Sequence, residues 1–409
     1  MTEGKKKLRI SREDALAALF ALAVPEGTET VPPEESCGRV LAEDLISTES
    51  VPPFSKSPLD GFALRGEDTS EAGTENPVVL RITEEIAAGQ TPQKPVLKGQ
   101  TAKILTGAPI PEGANAVVRF EETDFTEETV TITNPINPNT NIVPAGDDLQ
   151  PGQRFARRGE VVTPPVAGMM AAAGMETVRV FRKPRVTVIS TGSELTGPGE
   201  PLAYGMIRNS SYALLKGYME QAGAEVGTLG IVGDDPDVIA EAMQRALASS
   251  DMVVTTGGVS VGDYDYVLAA SEKIGARRLF WKVRFRPGGT MLAAEKDGKV
   301  ILGFSGNPAS ASLGLHIIGL PFLRALCGQE KRSPVRVKAR LLTPIEKDSP
   351  YGRLVRGRME LGDGEVRFRC MDHQGNGALT SLLGCDMIAD IPPHTPPLPE
   401  GAVIDAYIL

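Results

Sequence analysis

A chain of 409 residues, 41% of them hydrophobic, exceeds the length over which one apolar core keeps growing, so several folded units are expected. A formal net charge of −9 argues against a surface that coats nucleic acid or anionic lipid, so an anionic ligand must meet a local basic pocket. The cysteines Cys37, Cys327, Cys370 and Cys385 show no C-x-x-C spacing and only 3 histidines occur, which argues against a Cys/His zinc site.

In chain order, the opening residues carry no hydrophobic stretch that would make a signal peptide, and no apolar run approaches the roughly 18 residues of a membrane span. A cytoplasmic protein is expected. Ser11, with Asp14 three residues on and the apolar series Leu16, Leu19, Phe20 and Leu22, predicts a capped helix closing before Pro25. Val31 to Ile46 reads as short extended pieces. Pro52, Pro53 and Pro58 then bracket a stiff loop that delivers Asp60 and Gly61. Residues 74–144 alternate Val, Ile and Leu with polar residues between Gly, Pro and Asn breaks, as in a small all-β insert. A Pro/Gly-rich return follows at 143–152, and Ala167 to Gly174 reads as a short apolar helix.

From Arg185 the pattern becomes strand and helix in alternation. Strands are predicted at 186–190, 226–232, 252–255, 279–283 and 300–304, and helices at 211–222, 236–248, 267–274 and 309–326. That order predicts a parallel, doubly wound sheet with ligands at the carboxyl ends of its strands. After Gly328 the chain reads as β again, with a hairpin turn at Gly362, Asp363 and Gly364.

The loops after the α/β strands carry the chemistry. Thr191-Gly192-Ser193-Glu194 offers backbone donors for a phosphate beside a carboxylate, although Thr-Gly turns are common in plain structure. In Gly233-Asp234-Asp235-Pro236, Asp235 serves as an N-cap with Pro236 at the first helical position, which leaves Asp234 either as a solvated loop carboxylate or as a ligand. Thr256-Gly257-Gly258-Val259-Ser260 can wrap a phosphorylated group with main-chain donors, and Asp265 beside it makes sense if Mg²⁺ bridges the charges. Lys282, Arg284 and Arg286 fall at alternate positions, so three cations share one face if the strand continues that far; the alternative is a solvated strand edge. Gly306-Asn307-Pro308 opens the long helix with an N-cap and an N1 proline, aiming free N–H groups at the same crevice. The absence of a Walker sequence argues against an ordinary NTPase and the absence of G-x-G-x-x-G against a dinucleotide dehydrogenase, so these residues point to metal-assisted chemistry on a phosphorylated ligand.

Pro52-Pro53-Phe54-Ser55-Lys56-Ser57-Pro58-Leu59-Asp60-Gly61-Phe62-Ala63 resembles the P-P-F-x-x-S-x-M-D-G-Y-A signature of MoeA-like proteins and the gephyrin E domain. Leu105 to Pro111, Ala145 to Asp148, Thr191 to Leu195, Gly230 to Pro236, Thr256 to Tyr266, Trp281-Lys282 and Gly306 to Pro308 also match that family's motifs in order. The resemblance implies homodimers of four-part subunits. It places a discontinuous linker at 8–50 and 145–182, an inserted β domain at 51–144, a doubly wound domain like the molybdopterin adenylyltransferase at 183–330, and a C-terminal β-barrel at 331–409. It implies molybdate insertion into adenylylated molybdopterin in the dimer crevice, with Mg²⁺ and release of AMP.

Carried over residue by residue, the resemblance makes Asp60, Thr106, Asp148, Glu194, Asp234 and Asp265 catalytic, with Glu194, Asp234 and Asp265 holding Mg²⁺. Thr191, Gly192, Gly257, Gly258, Ser260, Lys282, Arg286, Gly306, Asn307 and Pro308 become substrate contacts, and Arg356 and Asn376 lie where the family binds molybdate. The adenylyltransferase and molybdoenzyme maturation proteins are the partners it suggests. Departures cluster near the anion: Arg286 stands where lysine is usual, Gly289 and Thr290 replace a Lys-Pro pair, Ser305 replaces proline and Asn376 replaces serine. They leave open a tungstate-using paralogue or a non-catalytic scaffold, and the shared α/β segment leaves open adenylyl transfer itself.

Overall fold

The computed structural model describes residues 9–259, 266–362 and 364–409. Asp265 and Ser260 lie outside the described residues. The helix Arg12–Phe20 starts as expected, with the Ser11 side chain accepting the Asp14 amide. Removing that acceptor in Ser11→Ala is expected to weaken the first turn by about 1 kcal/mol, measured as roughly fivefold faster amide exchange there. Ala15 and Leu19 of this helix are fully buried in the same core as Phe322 and Leu323. It therefore packs on the long helix of the α/β unit.

Segments on both sides of the insert pair with one another. Thr28–Val31 runs antiparallel to Val178–Phe181, and Leu45–Ile46 to Arg154–Ala156. They share a core of Leu41, Leu45, Val162, Met170 and Val180. The short helix begins earlier than its apolar run suggested, at Pro164–Ala172, because two prolines occupy its first turn, where an amide donor has no intrahelical partner. Between these segments stands a six-stranded sheet in the order Ala116–Arg119, Gly61–Leu64, Gln100–Ile104, Val78–Ile86, Thr129–Ile132, Asp124–Phe125. Phe62 anchors it, with Phe120 and Phe125 both edge-on at 5.1 Å.

The α/β sheet runs Glu225–Val232, Arg185–Thr191, Met252–Thr256, Lys299–Phe304, Met291–Lys296, Arg277–Trp281. Its first four strands are parallel, but Met291–Lys296 is antiparallel to both neighbours. The expectation of a purely parallel sheet is corrected here: a tight hairpin inserts an extra strand. Asp297 and Gly298 take φ of 52° and 79° at its tip, the left-handed pair that a two-residue hairpin requires.

The helix from Pro308 changes character at Leu315–Gly319, a π-helical stretch just before Pro321, whose missing amide cannot continue regular pairing. Pro308–Leu326 is long and apolar enough to span a bilayer, contrary to the sequence reading, yet 94% of its apolar window is buried inside the protein. It is a core helix.

The C-terminal region is a closed five-stranded barrel. Gly352–Gly362 pairs with Glu365–Cys370, which leads through Arg336–Leu341 and Val403–Ile408 to Met387–Ile391, and that strand pairs back onto Gly352–Gly362. Outside the barrel, Phe285–Arg286 pairs with the start of Gly352–Gly362. The chain segment after the α/β edge strand is thus drawn onto the barrel.

Candidate active site

The strand-end loops of the α/β sheet open on one cleft of about 640 Å³ lined by Thr191, Gly192, Glu194, Asp234, Gly257, Gly258, Gly306, Asn307 and, from the barrel, Asn376. Its floor is backbone against backbone. Gly257 and Gly258 have φ of 91° and 62°, and a Cβ on Gly257 would sit 2.2 Å from the Thr191 carbonyl. A Cβ on Gly306 would lie 3.4 Å from the Gly257 Cα. Only glycine lets these loops meet and leave main-chain donors facing the space above them. Gly257→Ala is expected to cost about 2 kcal/mol or more through its φ and the carbonyl clash, seen as a lower melting temperature.

Asp235 caps its helix through Asp237 as the sequence implied. Asp234 is bound differently: its Oδ2 accepts the Ser193 amide at 3.0 Å, while the Ser193 hydroxyl accepts the Asp234 amide at 3.3 Å. This reciprocal pair stitches two strand ends together and leaves the other carboxylate oxygen for a ligand. Glu194 folds back over Gly192, whose hypothetical Cβ would stand 2.6 Å from Oε2. Among the described residues, no three His, Cys, Asp or Glu side chains form a ready metal cage. Two carboxylates on one cleft still suit Mg²⁺, which keeps several waters and takes its remaining ligands from substrate phosphates.

Asn307 opens its helix but makes no side-chain capping bond, which corrects that expectation. The Ser310 amide instead donates to the Asn376 carbonyl at 3.1 Å, so a barrel loop covers part of the helix start. Pro308 fills the first helical position and is not among the cleft-lining residues.

The three cations do not share a face. The strand stops at Trp281, and Lys282 has a left-handed φ of 71°, which breaks the alternation. Lys282 is only 7% exposed, with its ammonium 3.9 Å from the Trp281 ring centroid. Arg286 is exposed and lies over Tyr351 at 4.1 Å, and Arg284 is also exposed. Neither lines the cleft.

Asp60 and Thr106 pair on the inserted unit, away from the cleft, and Asp148 follows that unit in the chain. Asp60 Oδ1 accepts both the amide and the hydroxyl of Thr106 at 2.7 Å, and the amide bond chiefly holds this carboxyl below its usual range. The Asp148 amide donates to Val51, on the loop that leads to Asp60. All three residues are exposed and none lines the α/β cleft.

Arg356 is fully buried in the barrel strand Gly352–Gly362, and burial lowers its pKa. Its Nη2 donates to the carbonyls of His373 and Gly375 at 3.1 and 3.0 Å, whereas Nε and Nη1 have no partner among the described residues. A buried cation with no carboxylate and two orphaned donors is costly unless an anion joins it. The loop that covers it, one residue further on, contributes Asn376 to the cleft. A second groove of about 520 Å³ is largely apolar, and its Arg208 Nη1 is taken up by the carbonyls of Gly197, Pro198 and Glu200. It offers no comparable chemistry.

Residues 10–174 match the MoeA N-terminal region, domains I and II; 187–325 match a probable molybdopterin binding domain; 338–409 match the MoeA C-terminal region, domain IV. A molybdopterin molybdenumtransferase of Staphylococcus epidermidis is 35% identical over 404 residues, covering 99% of this chain and 96% of that protein. The chain belongs to the molybdopterin molybdenumtransferase family. The Staphylococcus aureus member is 35% identical over 379 residues, 93% of this chain and 90% of that one. The molybdopterin biosynthesis MoeA protein of Pyrococcus horikoshii superposes with a TM-score of 0.84 at 29% identity, covering 98% of this chain and 100% of that chain.

Of the positions that the sequence reading marks as departures, Thr290, Ser305 and Asn376 line the cleft. Gly289 does something else. A Cβ there would stand 2.1 Å from the Phe285 carbonyl and 2.4 Å from that of Val283. The turn from 283 to 289 is closed too tightly for a side chain at Gly289. Sequence reasoning missed Gln374, Ser310 and Tyr266. Gln374 holds the loop over Arg356, and Ser310 and Tyr266 line the cleft. No local pattern marks Gln374, because the strand residue it clasps, Arg356, is 18 residues away.

Proposed function

We propose that this enzyme of molybdenum cofactor biosynthesis transfers molybdenum from molybdate to adenylylated molybdopterin and releases AMP. The observation that carries this reading is Arg356: a buried guanidinium without a counter-ion, one loop away from a glycine-floored cleft suited to a phosphorylated ligand. An arginine suits a tetrahedral oxyanion because its planar fork donates to two oxygens at once.

In this reading the amides of the Gly257-Gly258 and Gly306-Asn307 loops hold the nucleotide phosphate, and the helix start at Pro308 adds its positive dipole end. Glu194 and Asp234, with Asp265, hold Mg²⁺, which offsets the phosphoanhydride charge when bound. Lys282 supplies a buried positive charge at the same end of the sheet. Asp60, held as a carboxylate by Thr106, and Asp148, just after the inserted unit, face the pterin side from a second subunit, since neither reaches the cleft of its own chain. A homodimer is therefore part of the proposal.

The test is a titration of the purified chain with adenylyl-molybdopterin and either molybdate or tungstate. AMP release that requires the oxyanion supports the transfer. Formation of adenylyl-molybdopterin from ATP and free molybdopterin would show adenylyl transfer instead, and binding without turnover would show a scaffold.

A further inference from the structure

The Arg356 site is closed in this structure, and one side chain closes it. Gln374 Oε1 accepts the Arg356 amide at 3.1 Å, and its Nε2 donates to the carbonyls of Arg356 and Met371, both at 2.9 Å. The carboxamide thus clasps the strand from both sides and ties the following loop to it. That loop lays the His373 and Gly375 carbonyls on Arg356 Nη2. Nη2 belongs to both bidentate edges of a guanidinium, the Nε/Nη2 side and the Nη1/Nη2 end. With Nη2 held by two carbonyls, each edge keeps one free arm, the orphaned Nε or Nη1.

A tetrahedral dianion cannot use either fork while carbonyl lone pairs face the same donor. Arg356 is also 0% exposed, so the covering residues must move before an ion can enter. The same loop reaches the cleft, where the Asn376 carbonyl accepts the Ser310 amide.

We infer that Gln374 is a positioning residue that latches the loop 371–377 over Arg356, and that the latch competes with oxyanion binding and sets its affinity. The inference rests on the proposed oxyanion role of Arg356. The open, binding-competent state is then a minor population, and apparent affinity falls by that fraction. Releasing the latch should tighten binding, which is the reverse of what loss of a structural strut would do.

The experiment is direct calorimetric binding of sodium molybdate to the full-length chain and its variants. Gln374→Ala, and Gln374→Asn with its shorter reach, should bind molybdate about threefold to tenfold more tightly. Gln374→Glu should bind it more weakly than Gln374→Ala, because it adds a negative charge to the loop past which the dianion must enter. AMP affinity, read separately at the α/β cleft, should change by less than about twofold in all three. Weaker molybdate binding by all the Gln374 variants, or no change in any, overturns the latch. Arg356→Met distinguishes the two levels. If that variant loses molybdate while the Gln374 variants match the unmodified chain, the latch alone fails. If it binds molybdate normally, the oxyanion reading of Arg356 fails.

Discussion

Replacing Arg356 by methionine should abolish molybdate-dependent AMP release while leaving the fold as stable as before, or more stable by on the order of 1 kcal/mol. The two effects have opposite signs because the protein's own groups provide badly for this residue. It is fully buried, two of its donor atoms have no partner, and burial lowers its pKa. Methionine fills a similar volume and removes the uncompensated charge. Of the two carbonyls it frees, Gly375 still accepts the Ala378 amide. Transfer should fall by at least about a hundredfold if the guanidinium fork supplies two charge-assisted bonds that strengthen as the oxyanion reacts. Arg356→Lys should keep a little activity with a raised KM for molybdate, since a point cation reaches fewer oxygens. Denaturant unfolding beside steady-state kinetics checks this pair, and a loss of more than about 2 kcal/mol in the methionine variant would identify Arg356 as a structural strut.

What the sequence disclosed followed the range of the forces involved. Ser11 and Asp235 cap helices through amides two or three residues away, so short patterns suffice to find them. The carboxylates Glu194 and Asp234 were legible because a parallel strand must end in a loop at one edge of the sheet, whatever else the fold does. Met291–Lys296 was passed over since its run of Met, Leu, Ala and Ala lacks β-branched residues, although the Asp297-Gly298 pair signalled its hairpin.

The cations were misplaced for a different reason. Alternation along 282–286 assumes a continuing strand, but the Lys282 amide pairs with Met291 and the Arg284 amide with Ile10, distant partners that turn the chain at Lys282. Nor could composition reveal that Arg356 is buried on the strand face it shares with Leu354 and Ile388, which pack in the α/β core, because one arginine in a strand is compatible with either face. Gln374 is the clearest case of invisibility: an unremarkable amide whose role exists only once its loop returns to the strand.

Asp234→Asn separates a structural carboxylate from a metal-binding one. Asparagine keeps an oxygen that can accept the Ser193 amide, so the stitch between the two strand ends survives. If that stitch is all Asp234 provides, Asn should behave as the unmodified chain and only Asp234→Ala should be impaired. If the carboxylate holds Mg²⁺, both variants lose AMP release by about a hundredfold to a thousandfold, because a neutral amide is a poor ligand for a hard dication and the phosphoanhydride keeps its full charge. The metal reading predicts that both fall together, that raising Mg²⁺ recovers part of the rate in Asp234→Asn, and that melting temperature moves little in either. The same comparison at Glu194 extends the test. Its carboxylate folds over Gly192 without bridging the loops, so Glu194→Gln should lose rate with no change in stability at all. Normal AMP release in both Asp234→Asn and Glu194→Gln would remove the metal from this cleft.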